Sequence, residues 1–240
     1  MHSKDSFCYE GSSGFGVLLL HGFTANAGQM RELAGLLQAQ GYSVRVPLLP
    51  GHGNGPEGLE DVSWRDWLAC ARKEYTLLRE GCPRVAVAGI SMGGGLAAIL
   101  AEEYPVEAYI GYSPCVRMKE RSAFAAKIAR PARMYAHNAQ GERTFPLWKG
   151  YDVWQIAQRA MHGAFAITAP ALVFQSAKDA TIDPKGAKSL VNGMSSAQKE
   201  HIWLENSPHV CTDGPEKQIV FEKTIAFLNE VRARGDGKGI

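Results

Sequence analysis

Arg84-Val85-Ala86-Val87-Ala88-Gly89-Ile90-Ser91-Met92-Gly93-Gly94 is the stretch whose reading decides the fold. Its opening run, Arg84–Ala88, is short, apolar and charged only at its start, which suits a strand buried on both faces. From Met92 to Tyr104 the pattern turns helical. Between the two stands G-x-S-x-G, Gly89 to Gly93 around Ser91, in the strand–turn–helix setting that this pattern requires. A serine on so tight a turn takes a strained backbone conformation, and the two glycines leave room where side chains would collide. Ser91 then lies at the C-terminal end of a central strand, facing the N-terminal N–H groups of a helix, which favour developing negative charge.

Working outward, short β-branched or leucine-rich runs alternate with longer helical patterns, as in a parallel sheet with crossover helices. Strands are expected at Gly16–Leu20, Ser43–Pro47, Arg84–Ala88, Glu107–Tyr112, Ala171–Gln175 and His201–Leu204, with an edge strand near Ser6–Glu10. Helices are expected at Gly28–Gln40, Trp64–Glu80, Met92–Tyr104, Pro184–Asn192 and Pro215–Ala233, and the Gly-rich, charged tail Arg232–Ile240 is expected to fray. The fold class is therefore α/β, a mostly parallel central sheet with helices on both faces.

One interval breaks the rhythm. About 58 residues separate Tyr112 from Ala171, against a dozen or so for a minimal crossover. Arg117–Arg159 holds nine Lys/Arg against Glu120, Glu142 and Asp152, with Phe124, Tyr135, Phe145, Trp148, Tyr151 and Trp154 interspersed. We read residues 115–167 as a small helical cap on a core formed by 1–114 and 168–240. Its basic excess reads as a solvated face, with attraction of anionic substrates or interfaces as the sharper alternative. Its aromatics read first as cap core and second as pocket lining.

A serine hydroxyl needs an adjacent base, itself oriented by an acid, and in this architecture the chain order is Ser, acid, His. Only His201 and His209 follow the last candidate acid. His201 opens a strand, whereas His209 lies in the loop Asn206-Ser207-Pro208-His209 and can reach Ser91. Asp179 ends a loop directly after a strand; Asp183, before Pro184, reads as a helix N-cap. Acyl transfer also needs two N–H donors for the oxyanion. Met92 supplies one, and Phe23, in the loop His21-Gly22-Phe23 after the first long strand, the second. His21 is expected to brace this loop, and His52 in Gly51-His52-Gly53 to belong to a turn.

Composition narrows the partners. The 240 residues, with 45% apolar and 21% charged side chains and a formal charge of +2, describe an ordinary globular chain with no general pull toward nucleic acid. Phe15–Leu20 is too short for a signal h-region or a membrane span, so a cytoplasmic protein without stable membrane insertion is expected. Five scattered cysteines without a CxxC pair point to free buried thiols, not a disulfide framework or a metal site. Nothing in the sequence sets an oligomeric state.

With these residues in view, the chain resembles the bacterial carboxylesterase and monoacylglycerol-lipase branch of the α/β-hydrolases, from about Gly16 to Asn229. The likeness is carried by Leu18–Thr24, by Gly51-His52-Gly53 with Trp64 and Trp67, and by Ala88–Gly94. Gln175–Asp179, Ile182-Asp183-Pro184 and Ser207–Val210 complete it. The resemblance implies the α/β-hydrolase fold, a Ser91–Asp179–His209 triad, a small-molecule ester substrate and no cofactor. Short- to medium-chain acyl esters or monoacylglycerols are the expected substrates, with thioester, amide or carbon–carbon hydrolysis and a non-catalytic ligand receptor as alternatives. Pro208 departs from the glycine usual before the histidine, which fixes φ near −65° there.

Overall fold

The computed structural model describes residues 5–120, 122 and 134–236. Seven strands form the main sheet: β1 (Phe7–Tyr9), β2 (Phe15–Leu20), β3 (Ser43–Val46), β4 (Arg84–Ile90), β5 (Tyr109–Tyr112), β8 (Ala171–Ser176) and β9 (Lys199–Leu204). Their spatial order is β1-β3-β2-β4-β5-β8-β9. Only β1 is antiparallel to its neighbour; the other five pairings are parallel. The remaining strands, β6 (Tyr135–His137) and β7 (Arg143–Pro146), form a separate antiparallel hairpin.

Among the described residues the α-helices of several turns or more are α1 (Arg31–Ala39), α2 (Trp64–Gly81), α3 (Met92–Glu103), α4 (Lys149–His162), α5 (Lys185–Gly193) and α6 (Lys217–Asp236). Successive strand side chains point to opposite faces, and both faces are covered. Leu18 and Leu20 join the cluster under α2, α3 and α5, while Val17 and Leu19 join the one under α1 and α6. This is why β2, β4 and β8 read as unbroken apolar runs: β2 and β8 are buried at every residue, and β4 at all but Arg84. Helix α3 is itself enclosed, buried from Met92 through Ala101. Among the described residues no helix is long and apolar enough to cross a membrane.

The expected strands and helices are all present, with shifted ends. The first helix is entered through a 3-10 turn, Ala27–Met30. The last runs to Asp236, so the fray expected from Arg232 does not begin there; residues 237–240 lie outside the described part. The 115–167 interval is not purely helical. It contains the β6–β7 hairpin, whose short strands mix apolar and polar residues without a period that marks a strand. Helix α4 leans on α3, with Ile156 packed against Gly95 and Arg159 paired with Glu102 and Glu103. Two clamps root this interval on the core: Arg117 pairs with Asp183 at 2.9 Å and Met118 bridges to Ile182.

The parallel strands end on one edge, where the loops after β2, β4 and β8 emerge together. The glycines at the β4–α3 turn are steric necessities. A Cβ on Gly89 would sit 2.3 Å from the Gly93 backbone, and one on Gly93 2.2 Å from the Leu20 carbonyl oxygen. Gly93→Ala is accordingly expected to lose about 3 kcal/mol or more, or to fail to fold. Gly35→Ala, in α1 with nothing within 4 Å of the added carbon, should gain up to about 1 kcal/mol. Urea unfolding of the two variants checks both signs.

Candidate active site

Ser91 occupies the sharp turn between β4 and α3 with φ 53° and ψ −118°. A non-glycine residue held there costs about 1–3 kcal/mol and persists only when its surroundings over-determine it. They do. Its N–H donates to the Tyr112 carbonyl at 3.0 Å, while its own carbonyl accepts from Gly95 at 3.1 Å and Cys115 at 2.8 Å. The hydroxyl is thereby aimed out over the sheet edge.

His209 meets it from the loop between β9 and α6. Nε2 lies 2.8 Å from Ser91 Oγ, and Nδ1 lies 2.7 Å from Asp179 Oδ2. Pro208 is compatible with this reach; it is exposed, and its ring packs near Gly214. Asp179 is fixed in turn. Oδ1 accepts the N–H groups of Thr181 at 2.8 Å and Ile182 at 3.0 Å, and Oδ2 also accepts from Gln175 Nε2 at 3.2 Å. Burial works against charge on Asp179, but the His209 bond and these N–H groups outweigh it and hold the carboxyl below its usual range. An ionised carboxylate only accepts, so Nδ1 carries the proton and Nε2 offers its lone pair to the Ser91 hydroxyl. Asp183 stands one residue before the Pro184 N-cap of the following helix, and its Oδ1 accepts the Lys185 N–H at 3.0 Å. His201, half-buried on β9, borders a different surface groove with Trp203 and Lys188.

The loop after β2 crosses directly over the serine. A Cβ built on Gly22 would lie 3.5 Å from Ser91 Cβ, an ordinary packing contact, which measures how near the loop passes to the serine. His21 is wholly buried behind it. Its Nε2 accepts the Leu49 N–H at 3.0 Å, so the ring proton sits on Nδ1 and donates to the Gly22 carbonyl at 2.9 Å. That carbonyl and the Phe23 N–H belong to one planar peptide and point in opposite directions. Holding the carbonyl inward therefore turns the Phe23 N–H outward. The Met92 N–H opens α3 beside it and has no partner one turn back within that helix. The bracing role expected for His21 thus has a physical form. His52 is also buried, edge-on to His21 with 4.9 Å between ring centres and bonded to the Pro50 carbonyl.

Above Ser91 and His209 opens a mostly apolar cavity of about 550 Å³, walled by Phe23, Met118, Phe145, Leu147, Val153 and Ile182. Of the six aromatics between Arg117 and Arg159 only Phe145 lines it among the described residues; Phe124 lies outside them. Tyr135 packs on Trp148 and Tyr151 on Trp154, as packing residues. The basic residues are not simply solvated. Lys149 is 6% exposed and holds Asp152 and the Val62 carbonyl, and Lys119 Nζ donates to the Asp179 carbonyl at 3.1 Å. Arg143 lies over the Tyr135 ring. Arg121, Lys127, Arg130 and Arg133 fall outside the described residues. Cys115 also lines the cavity, but burial, with a smaller contribution from Asp179, pushes its thiol up to about 12 and leaves it inert beside the serine. The five cysteines are free thiols, three of them buried; Cys8 is exposed.

Residues 17–213 match the model of the alpha/beta hydrolase family. The chain belongs to that family. The thermostable monoacylglycerol lipase of Bacillus sp. (strain H-257) is 33% identical over 226 residues, spanning 89% of this chain and 90% of its own. The carboxylesterase of Bacillus subtilis (strain 168) is 27% identical over 227 residues, spanning 90% and 92%. Among solved structures, one described with LipS and LipT, two metagenome-derived lipolytic enzymes, superposes with a TM-score of 0.87 at 29% identity, covering 95% of this chain and 98% of that one.

Two supports of the site are amides to which the sequence reading assigned no role, Gln29 in the 3-10 turn Ala27–Met30 and Gln175 at the end of an apolar strand. His21 adds a pH dependence. Burial, and then the neighbouring His52, pull its pKa down to about 3 against the bond to Gly22. The unfolded chain takes up this proton near pH 6.5 and the folded chain near 3, so the neutral ring's contribution is complete above 6.5 and is lost as pH falls toward 3. His21→Asn should lose less stability than the parent between pH 7 and 4.5, read as the change in urea midpoint. An equal loss in both would contradict it.

Proposed function

We propose that this α/β-hydrolase is a serine esterase that cleaves short- to medium-chain acyl esters or monoacylglycerols through an acyl-enzyme. The observation that carries the reading is the single imidazole of His209, 2.8 Å from Ser91 Oγ and 2.7 Å from Asp179, on the floor of a mostly apolar cavity. The lipase and carboxylesterase names of the relatives agree with it.

In this mechanism Ser91 Oγ attacks the ester carbonyl as Nε2 of His209 takes its proton, and Asp179 stabilises the imidazolium. The tetrahedral oxyanion lies against the N–H groups of Phe23 and Met92, each worth about 3 kcal/mol in such sites. His209 then hands its proton to the leaving alcohol, and the acyl group stays on Ser91. Water enters, loses a proton to His209 and releases the acid, restoring the hydroxyl. Residues 115–167 act as the cap, supplying Met118, Phe145, Leu147 and Val153 to the cavity wall against the apolar chain.

A fluorophosphonate probe should label the protein once, and Ser91→Ala should abolish the label and lower kcat by about 10⁵-fold or more. Asp179→Asn should keep the fold and lower kcat by about 10⁴-fold. A panel of nitrophenyl esters, monoacylglycerols and acyl thioesters sets the substrate class. Inertness toward every ester together with absent labelling would overturn the proposal, and preference for thioesters over all esters would overturn its substrate.

A further inference from the structure

We infer that Gln29 is a positioning residue that sets the aim of the Phe23 N–H; the inference rests on the ester-hydrolase reading above. Gly22 is the swivel on which that N–H turns, and it has no side chain of its own to be held by. Its carbonyl is fixed from behind by His21 Nδ1 and by the Ala25 N–H at 3.2 Å. Its N–H, on the other side of the swivel, is met at 2.9 Å by Gln29 Oε1. Three bonds, two on the peptide after Gly22 and one on the peptide before it, fix both of its torsions. With only the carbonyl held, φ of a glycine is nearly free.

The amide is itself anchored. Gln29 sits in the 3-10 turn Ala27–Met30, whose Ala27 and Met30 are buried. Asn26 Oδ1 accepts the Gly28 N–H at 2.9 Å, and the Asn26 carbonyl accepts the Gln29 N–H at 3.0 Å. A backbone N–H can be met only by the oxygen end of the amide, so the orientation of Gln29 is set by chemistry. The residue also lines the cavity that holds Ser91 and His209. A slackened Gly22 would therefore let the Phe23 N–H wander from the oxyanion position while the Phe23 ring stays packed against His52, Trp67 and Phe145 in the cavity wall. Gln29 acts through Gly22 and Phe23 and is no part of the proton relay.

The test compares the full-length protein with Gln29→Met and Gln29→Leu, both first checked by thermal unfolding, the second serving if the first does not fold. Misaiming one donor should lower kcat by about 10- to 100-fold, short of the loss from deleting a donor outright. KM on a nitrophenyl ester should change by no more than about threefold, because Gln29 is one edge of a cavity whose apolar walls are kept. An alkylboronic acid, which forms a tetrahedral adduct with an oxyanion-like oxygen, should lose affinity by the same factor as kcat. A non-hydrolysable ether of the same chain should bind unchanged. Unaltered kcat and boronate affinity, or equal weakening of boronate and ether, would overturn the role of Gln29. If the parent protein takes up no fluorophosphonate, it is the Ser91 reading that fails instead, and a labelled parent separates the two.

Discussion

The structure depends on one strained residue and the bonds that hold it. Ser91 keeps a positive φ because Tyr112, Gly95 and Cys115 each bind its backbone, and because Gly89 and Gly93 let β4, α3 and the end of β2 close to within a few ångströms of one another. Any side chain at those glycines would meet backbone. The cost of the strain is met by α3, which is buried along nearly its whole length between the sheet and the surrounding helices. The tight turn and the buried helix are therefore one constraint, and the hydroxyl's direction follows from both.

Around that fixed point the other groups are positioned by short chains of hydrogen bonds. Asp179 is held by Thr181, Ile182 and Gln175, and it orients His209 in turn. The loop after β2 is held by a neutral buried imidazole on one side and an amide on the other. The same acid loop is also tied to the inserted interval, by Lys119 to the Asp179 carbonyl and by the bridge from Met118 to Ile182. The cavity wall and the Asp179–His209 contact are thus built on common backbone.

Much of this was legible in the chain. Strands such as Phe15–Leu20 and Ala171–Ser176 are buried on both faces, so Phe15–Leu20 and Ala171–Phe174 appear as unbroken apolar runs. Ser91, Asp179 and His209 could be named because each follows a strand end at a loop, where local pattern and required chemistry coincide. The hairpin Tyr135–His137 with Arg143–Pro146 was not legible, since its strands are three and four residues long, mixed in character and partly exposed, and so lack a period to read. Nor was the work of Lys149, a charge in a basic stretch whose burial depends on the distant Val62 carbonyl. Gln29 and Gln175 escaped for a related reason: an amide acquires a role only from the backbone atom that the fold brings to it.

The central claim is that Ser91 takes the acyl group from an ester. Rapid mixing with a nitrophenyl ester, acid quenching within the first turnover and mass mapping of the digested protein measure this directly. The account predicts a burst of about one nitrophenol per chain and an acyl group on the peptide that carries Ser91. Steady release without an adduct, or an adduct confined to another residue, would contradict it.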